Sequence, residues 1–295
     1  MHLLDTREAK LLYSFVKMPK IFVKDFNLEY TLLCGQMFRL SKAGDWFYVA
    51  VRDHIFRVCQ SSEYLEFEGV DKKFLTHYFA LDEPYSNILK QIENDPHIRK
   101  AIKKYHGMRI VRQDPWECLI SFLCSSAANI PKIKLNLEML AQFFGKRIEL
   151  NGFEWYSFPN PGELNHYEKI VQAKTGFRAK YLKAANDLVT EAFLASLKKL
   201  PYLEAKKALK QIPGVGDKIA DCILLFSLGF TEAFPIDTWI KKILQKLYFE
   251  NQIVSNRELQ DFGQKYFGRY AGYAQQFLYM LARESVTGNR RDAKL

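Results

Sequence analysis

The chain has 295 residues, 48% of them hydrophobic and 26% charged, and carries a formal net charge of +10 from 43 basic and 33 acidic residues. That composition excludes a disordered or fibrous chain, leaves room for one large domain or two ordinary ones, and suits a polyanionic partner. Five scattered cysteines (Cys34, Cys59, Cys118, Cys124, Cys222) form neither a disulfide framework nor a metal knuckle, so no metal site is expected. No apolar run reaches the roughly 20 residues of a membrane span. The opening "MHLLDTREAKLLYSF" lacks the charged-then-apolar order of a signal peptide. A soluble, intracellular, monomeric protein is expected.

The first hundred residues read as strands. "FNLEYTLLCGQMFRL" is expected to begin a sheet, with Gly35 at a bend, and "WFYVAV", "HIFRVCQ" and "EYLEFEG" continue it. From about residue 70 the period becomes helical. In "NDPHIRKAIKKY" Asp95 caps and Pro96 opens a helix. "QDPWECLISFLCSS" repeats the device with Asp114, Pro115 and Glu117, the last completing a capping box. "IPKIKLNLEMLAQFFG" stops at Gly145, "WYSFPNPGE" reads as a loop, and six more helical segments follow as far as "GYAQQFLYMLARES". The fold class is α+β. An antiparallel sheet domain with flanking helices spans 1–105, a helical body 106–285 and a frayed tail 286–295.

The densest signal is "YLEAKKALKQI-PGVG-DKIADCILLFSLG", helix, glycine hairpin, helix. Gly214 and Gly216 allow a tight turn and close backbone approach, and the free N–H groups of the second helix, up to Ile219, make an anion site. This is a helix-hairpin-helix, a grip for DNA backbone phosphate. Lys218 occupies the first turn of that second helix, whose positive end disfavours a cation. Four residues on, Cys222 shares its face. Asp237 follows Pro235 at an N-cap position. A lysine and a carboxylate facing one cavity suit cleavage of an N-glycosidic bond. The carboxylate stabilises the oxocarbenium-like sugar, and the neutral amine attacks the anomeric carbon to give a Schiff base. Burial and the helix's positive end both disfavour the ammonium form.

The pattern PGVG-x-K-x-A-D-C…P-x-D resembles the 8-oxoguanine DNA glycosylases with abasic-site lyase activity, in which the lysine is the nucleophile and the aspartate lies nineteen positions on, as Asp237 does here. The resemblance runs through most of the chain. "LLCGQMFRL" is similar to the family's GQ-x-F-R-W segment, and so implies that the Gly35 carbonyl accepts the N7–H that oxidised guanine has and guanine lacks. With guanine, the unmet buried pair would cost about 1–3 kcal/mol. "GRYAGYAQQFLY" implies that Gln275 bonds the base's Watson–Crick edge and Tyr279 stacks on it, with Cys222 on the opposite face.

Departures gather at the segments that hold the opposing base. In "CSSAANIPKI" the family's first two asparagines are Ala127 and Ala128, leaving Asn129, and its cytosine-reading arginine is Lys132. Phe177 replaces the wedge tyrosine, followed by Arg178, and Trp239 stands where animal members place a phosphate-binding histidine. These changes lead to an expectation of excision opposite several bases, in a divergent, prokaryotic branch acting on double-stranded DNA that contains 8-oxoguanine. No organic cofactor is implied, though the hairpin carbonyls could hold a monovalent or divalent cation. Two other readings stand beside this one. A glycosylase for alkylated purines would not need Lys218, and a non-catalytic DNA-binding module would leave Asp237 and Gln275 unexplained. An iron–sulfur glycosylase would need four cysteines beyond the hairpin, and none follows Cys222.

Overall fold

The computed structural model describes residues 18–292, with side chains to residue 284. The N-terminal segment read for a signal peptide lies outside the described residues, as do the last three residues of the expected tail. The strands are β1 (Lys20–Phe22), β2 (Leu40–Ala43), β3 (Trp46–Val51), β4 (His54–Ser61), β5 (Tyr64–Glu68), β6 (Arg147–Leu150) and β7 (Phe153–Tyr156). The helices of the first half are α1 (Leu28–Leu33), α2 (Lys72–Tyr78), α3 (Tyr85–Ile92), α4 (Pro96–Lys104), α5 (Pro115–Cys124) and α6 (Ile130–Phe144). Those of the second half are α7 (Tyr167–Ile170), α8 (Ala179–Leu188), α9 (Glu191–Leu197), α10 (Tyr202–Leu209), α11 (Asp217–Ile223), α12 (Thr238–Tyr248), α13 (Asn256–Phe267) and α14 (Ala271–Asp292). No helix among the described residues is long and apolar enough to cross a membrane.

The expected sheet forms, five antiparallel strands in the order β1-β5-β4-β3-β2. Register is set by apolar cross-strand pairs on one face: Phe47 lies opposite Val58, Val49 opposite Phe56, and Val58 opposite Phe67. That face closes over Leu75, Tyr78 and Phe79 of α2 and its C-terminus.

The sheet does not begin where expected. "NLEYTLL" is the helix α1, because the Asn27 side chain caps it by accepting from the Tyr30 N–H at 2.8 Å, and Leu28, Thr31 and Leu32 fall on one buried face. Nor is "WYSFPNPGE" all loop. Trp155 and Tyr156 end the hairpin β6–β7, which turns on Asn151 and Gly152, with φ of 52° and 75°. This hairpin covers the sheet's other face, with Phe153 stacked on Tyr48 at 4.2 Å and Trp155 packed against Tyr48, Ala50 and Ile55.

Glu117 does not complete a capping box. Asp114 accepts from the Glu117 N–H as expected, but the Glu117 carboxylate turns inward to the Arg52 N–H at 2.9 Å and to Arg39 at 3.4 Å. Arg39 is only 2% exposed, and a buried guanidinium needs a counter-charge more than a helix end needs a second cap. Helices α3 and α4, expected to flank the sheet, bury Tyr85, Ile88, Ile98 and Ala101 in the core of the helical body. The last helix continues to Asp292, where a frayed tail was expected.

Sheet and helical body are joined through Gln36. Its fully buried amide donates to the carbonyls of Thr31 (2.8 Å) and Arg109 (2.9 Å) and accepts from the Val111 N–H at 2.9 Å. Gln36→Leu strands all three groups, so it should destabilise the protein by roughly 3 kcal/mol or more. A urea midpoint that falls while the m-value stays constant is the expected reading.

Candidate active site

Helices α10 and α11 meet at a turn closed by the Val215 N–H donating to the Ile212 carbonyl at 3.0 Å. Gly214 has φ +90°, and a Cβ there would lie 2.6 Å from the Tyr181 ring, so both backbone and packing require glycine. Gly216 is the N-cap of α11 in extended geometry, and a Cβ there would meet nothing within 4 Å. With no capping side chain, the first-turn N–H groups from Asp217 to Ile219 keep their donor capacity, while the buried Ile219 side chain anchors the turn. The Asp217 carboxylate pairs with Lys210 (2.8 Å) and Lys206 (3.5 Å).

Lys218 resolves its awkward place by reaching away from its own helix. Its Nζ donates to the Ser125 hydroxyl at 3.0 Å and lies 5.0 Å from the centroid of the Phe122 ring. The Ser125 hydroxyl in turn donates to the Phe122 carbonyl at 2.7 Å. The amine therefore rests at the C-terminal end of α5, the pole that favours a cation. Ser125 has no sequence signal of its own; it becomes visible only when α5 and α11 pack together.

Asp237 is the expected N-cap. One carboxylate oxygen accepts from both the Trp239 N–H (2.9 Å) and the Ile240 N–H (2.8 Å), which leaves the other outside the cap. Burial raises its carboxyl above the ordinary value of 3.8, against the Ile240 and Trp239 amides and the positive fields of Lys218 and Arg283. The Trp239 indole is half-buried against the helical core.

Tyr279 links the expected pocket walls, lying against Gly35 and within the fields of Asp237 and Cys222. Gly35 has φ +81°, and a Cβ there would sit 2.9 Å from the Tyr279 hydroxyl, so the expected bend is one that only glycine fills. The carbonyls on either side are taken, Cys34 by the Gln276 amide and Gln36 by the Gln113 amide, each at 2.7 Å. Among the described residues no donor reaches the Gly35 carbonyl. Gln275 is buried, donates to the Pro235 carbonyl at 3.3 Å, and leaves its Oε1 without a partner among the described residues. The Tyr279 hydroxyl is pushed up to about 12 by burial and feels Arg283, Asp237, Cys34 and Cys222. Burial likewise pushes the Cys222 thiol up to about 12, within the fields of Lys218 and Asp237. Cys222 is thus a neutral wall beside the amine.

The residues expected to face the opposing base form a separate edge. Phe177 is 55% exposed, with the Arg178 guanidinium 4.6 Å from its ring centroid. Arg178 itself is not available to DNA. It is buried, and it donates to the carbonyls of Ser126 (2.7 Å), Ala127 (3.0 Å) and Thr175 (3.2 Å). It clamps the turn in which Ala127 adopts φ +48°. Asn129 caps α6, accepting from the Lys132 N–H at 3.0 Å, and Lys132 sits half-buried on that helix's first turn.

A family model for the N-terminal domain of 8-oxoguanine DNA glycosylase matches residues 20–119. The N-glycosylase/DNA lyase OGG1 of Arabidopsis thaliana is 34% identical over 222 residues, 70% of this chain and 60% of that protein. The N-glycosylase/DNA lyase of Saccharomyces cerevisiae is 30% identical over 274 residues, 76% of this chain and 72% of that protein. Among solved structures, the Clostridium acetobutylicum 8-oxoguanine glycosylase/lyase in complex with dsDNA containing cytosine opposite to 8-oxoG superposes with a TM-score of 0.85 at 33% identity, covering 92% of this chain and 99% of that one. On the family model, the curated relatives and the shared sheet and helical body, the chain belongs to the 8-oxoguanine DNA glycosylase family.

Proposed function

We propose that this protein removes 8-oxoguanine from double-stranded DNA and then nicks the strand through a Schiff base on Lys218. The observation that carries the reading is that Lys218 and Asp237 lie within each other's electrostatic reach, with Cys222 in the field of both and Tyr279 in the field of Asp237 and against Gly35. The damaged nucleotide is turned out of the duplex, since its glycosidic bond is out of reach in the stack. The Gly35 carbonyl accepts the N7–H of the lesion. The Gln275 Oε1, buried and without a partner, accepts from an N–H on the base's Watson–Crick edge. Tyr279 and Cys222 cover the two faces. First-turn N–H groups at Gly216 to Ile219 hold a backbone phosphate.

Asp237 supplies negative charge beside the sugar as the bond from C1′ to the base breaks and positive charge develops. Lys218 gives up a proton to the departing base as its nitrogen forms the new bond to C1′ and the bond from C1′ to the base breaks, and ring opening gives the imine. Loss of a C2′ proton then expels the 3′ phosphate. The hairpin's remaining oxygen donors are neutral carbonyls, because Asp217 is engaged by Lys210 and Lys206. Such a set suits a monovalent cation at the Ile212–Val215 turn better than a divalent one. The same reading places the enzyme inside the cell, as a monomer.

At the orphaned base, Ala127 and Ala128 offer no side-chain hydrogen bond, and Lys132 is a point charge without a fork. Rates of base release opposite the four bases should therefore agree within about tenfold; a strong preference for cytosine would overturn this part of the reading. With sodium borohydride and a duplex carrying one 8-oxoguanine, wild-type protein should form a covalent adduct and Lys218→Gln none. Base release without an adduct would favour an aspartate-only glycosylase. Because burial raises the Asp237 carboxyl, base release should fall as pH drops through a value above the ordinary 3.8. Asp237→Asn should slow release roughly 100-fold and abolish that acid limb.

A further inference from the structure

Between the π-helical turn Leu224–Leu228 and Asp237 the chain is irregular, and it is buried from Ala233 to Ile236: Ala233 and Phe234 are 0% exposed and Ile236 7%. Buried carbonyls without regular pairing need side-chain donors. Three glutamine amides supply them. Gln264 donates to Glu232 at 3.0 Å, Gln260 to Phe234 at 3.2 Å, and Gln275 to Pro235 at 3.3 Å.

Gln260 differs from the other two. Its Nε2 also donates to the Asp221 carboxylate, and its Oε1 accepts from the Lys206 Nζ at 2.9 Å. Asp221 is fully buried, lies three residues beyond Lys218 on α11, and accepts from the Tyr202 hydroxyl (2.7 Å) and Lys206 (3.0 Å). One amide thus ties the helix that carries Lys218 to the segment that ends at Asp237. The same face of α13 grips residue 234 twice more. Gly263 leaves room for the Phe234 ring, which a Cβ would approach to 2.5 Å, and Phe267 stacks on it at 6.3 Å.

We propose that Gln260 is a positioning residue for base excision: acting through the Phe234 carbonyl, it sets the Asp237 carboxylate relative to the Lys218 helix. This rests on the function proposed above. Lys218 has its own anchors in Ser125 and Phe122, so the two halves of the chemistry should separate when Gln260 is lost.

The test uses Gln260→Met, which keeps length and apolar volume but removes both the donor and the acceptor. Gln260 borders a cavity of about 650 Å³, so the change creates no clash. Under single turnover, release of 8-oxoguanine should fall about tenfold, while the Kd for the lesion duplex stays within about twofold. Borohydride trapping on a duplex with a preformed abasic site should also stay within about twofold of wild type. Gln260→Asn, which withdraws the amide by one methylene, should follow Gln260→Met. Gln264→Met, which removes the amide on the Glu232 carbonyl but leaves Gln260 bridging Asp221 and Phe234, should keep base release within about twofold of wild type. Equal base release in wild type and both Gln260 variants overturns the proposal, and so does a parallel loss of release and trapping, which would mark a packing role only. Wild-type protein that traps abasic DNA but releases no 8-oxoguanine would instead overturn the proposed function, and the positioning role with it.

Discussion

Backbone that is buried but belongs to neither helix nor sheet must find its donors and acceptors in side chains, and in this protein glutamine meets most of that demand around the site. Gln36 pairs two carbonyls and an amide where the sheet domain meets residues 109–111, while Gln113 and Gln276 hold the carbonyls that flank Gly35. Gln260, Gln264 and Gln275 do the same for the approach to Asp237. An amide offers donors and an acceptor without a charge to desolvate, so it can be buried against peptide groups at lower cost than lysine or glutamate. Two segments from distant parts of the chain, the one at Gly35 and the one before Asp237, are thereby held without regular secondary structure.

Charge is handled by a different rule. Arg39 and Glu117 are buried together, with Glu138 at 3.7 Å from the guanidinium as a second carboxylate. Asp221 and Lys206 form another enclosed pair beneath the hairpin. Lys218 alone among these cations is given a hydroxyl, an aromatic face and a helix C-terminus rather than a carboxylate. Such partners hold the amine in place without locking it into an ion pair, which suits the nucleophilic role proposed for it. Asp237 stays within electrostatic reach, with one oxygen committed to its helix and the other outside the cap.

Features that depend on near neighbours in sequence were legible. The hairpin glycines, the cap at Asp237 and the shared face of Lys218 and Cys222 follow from turn and helix geometry. The role of Gly35 came only through family resemblance, and its physical basis, a left-handed φ against Tyr279, is a contact across the whole chain. Helix α1 was missed because Tyr30 and Thr31 favour strands, although Asn27 was a cap in plain view. The β6–β7 hairpin was announced by Asn151–Gly152 between very short strands. Arg178 and Glu117 could not be read correctly, because their partners lie 52 and 78 residues away. A buried arginine looks, in sequence, the same as one reaching for DNA.

The cysteines carry a further consequence. Burial raises the thiols of Cys34 to about 11 and of Cys124 and Cys222 to about 12, and Cys59 and Cys118 are raised as well. Peroxides attack the thiolate, and at neutral pH these sulfurs hold almost none. An enzyme with the function proposed above would be exposed to the oxidants that damage guanine. Cys34, Cys118, Cys124 and Cys222 are also buried, so four of the five thiols are shielded from solvent as well as protonated, among them the one in the field of Lys218.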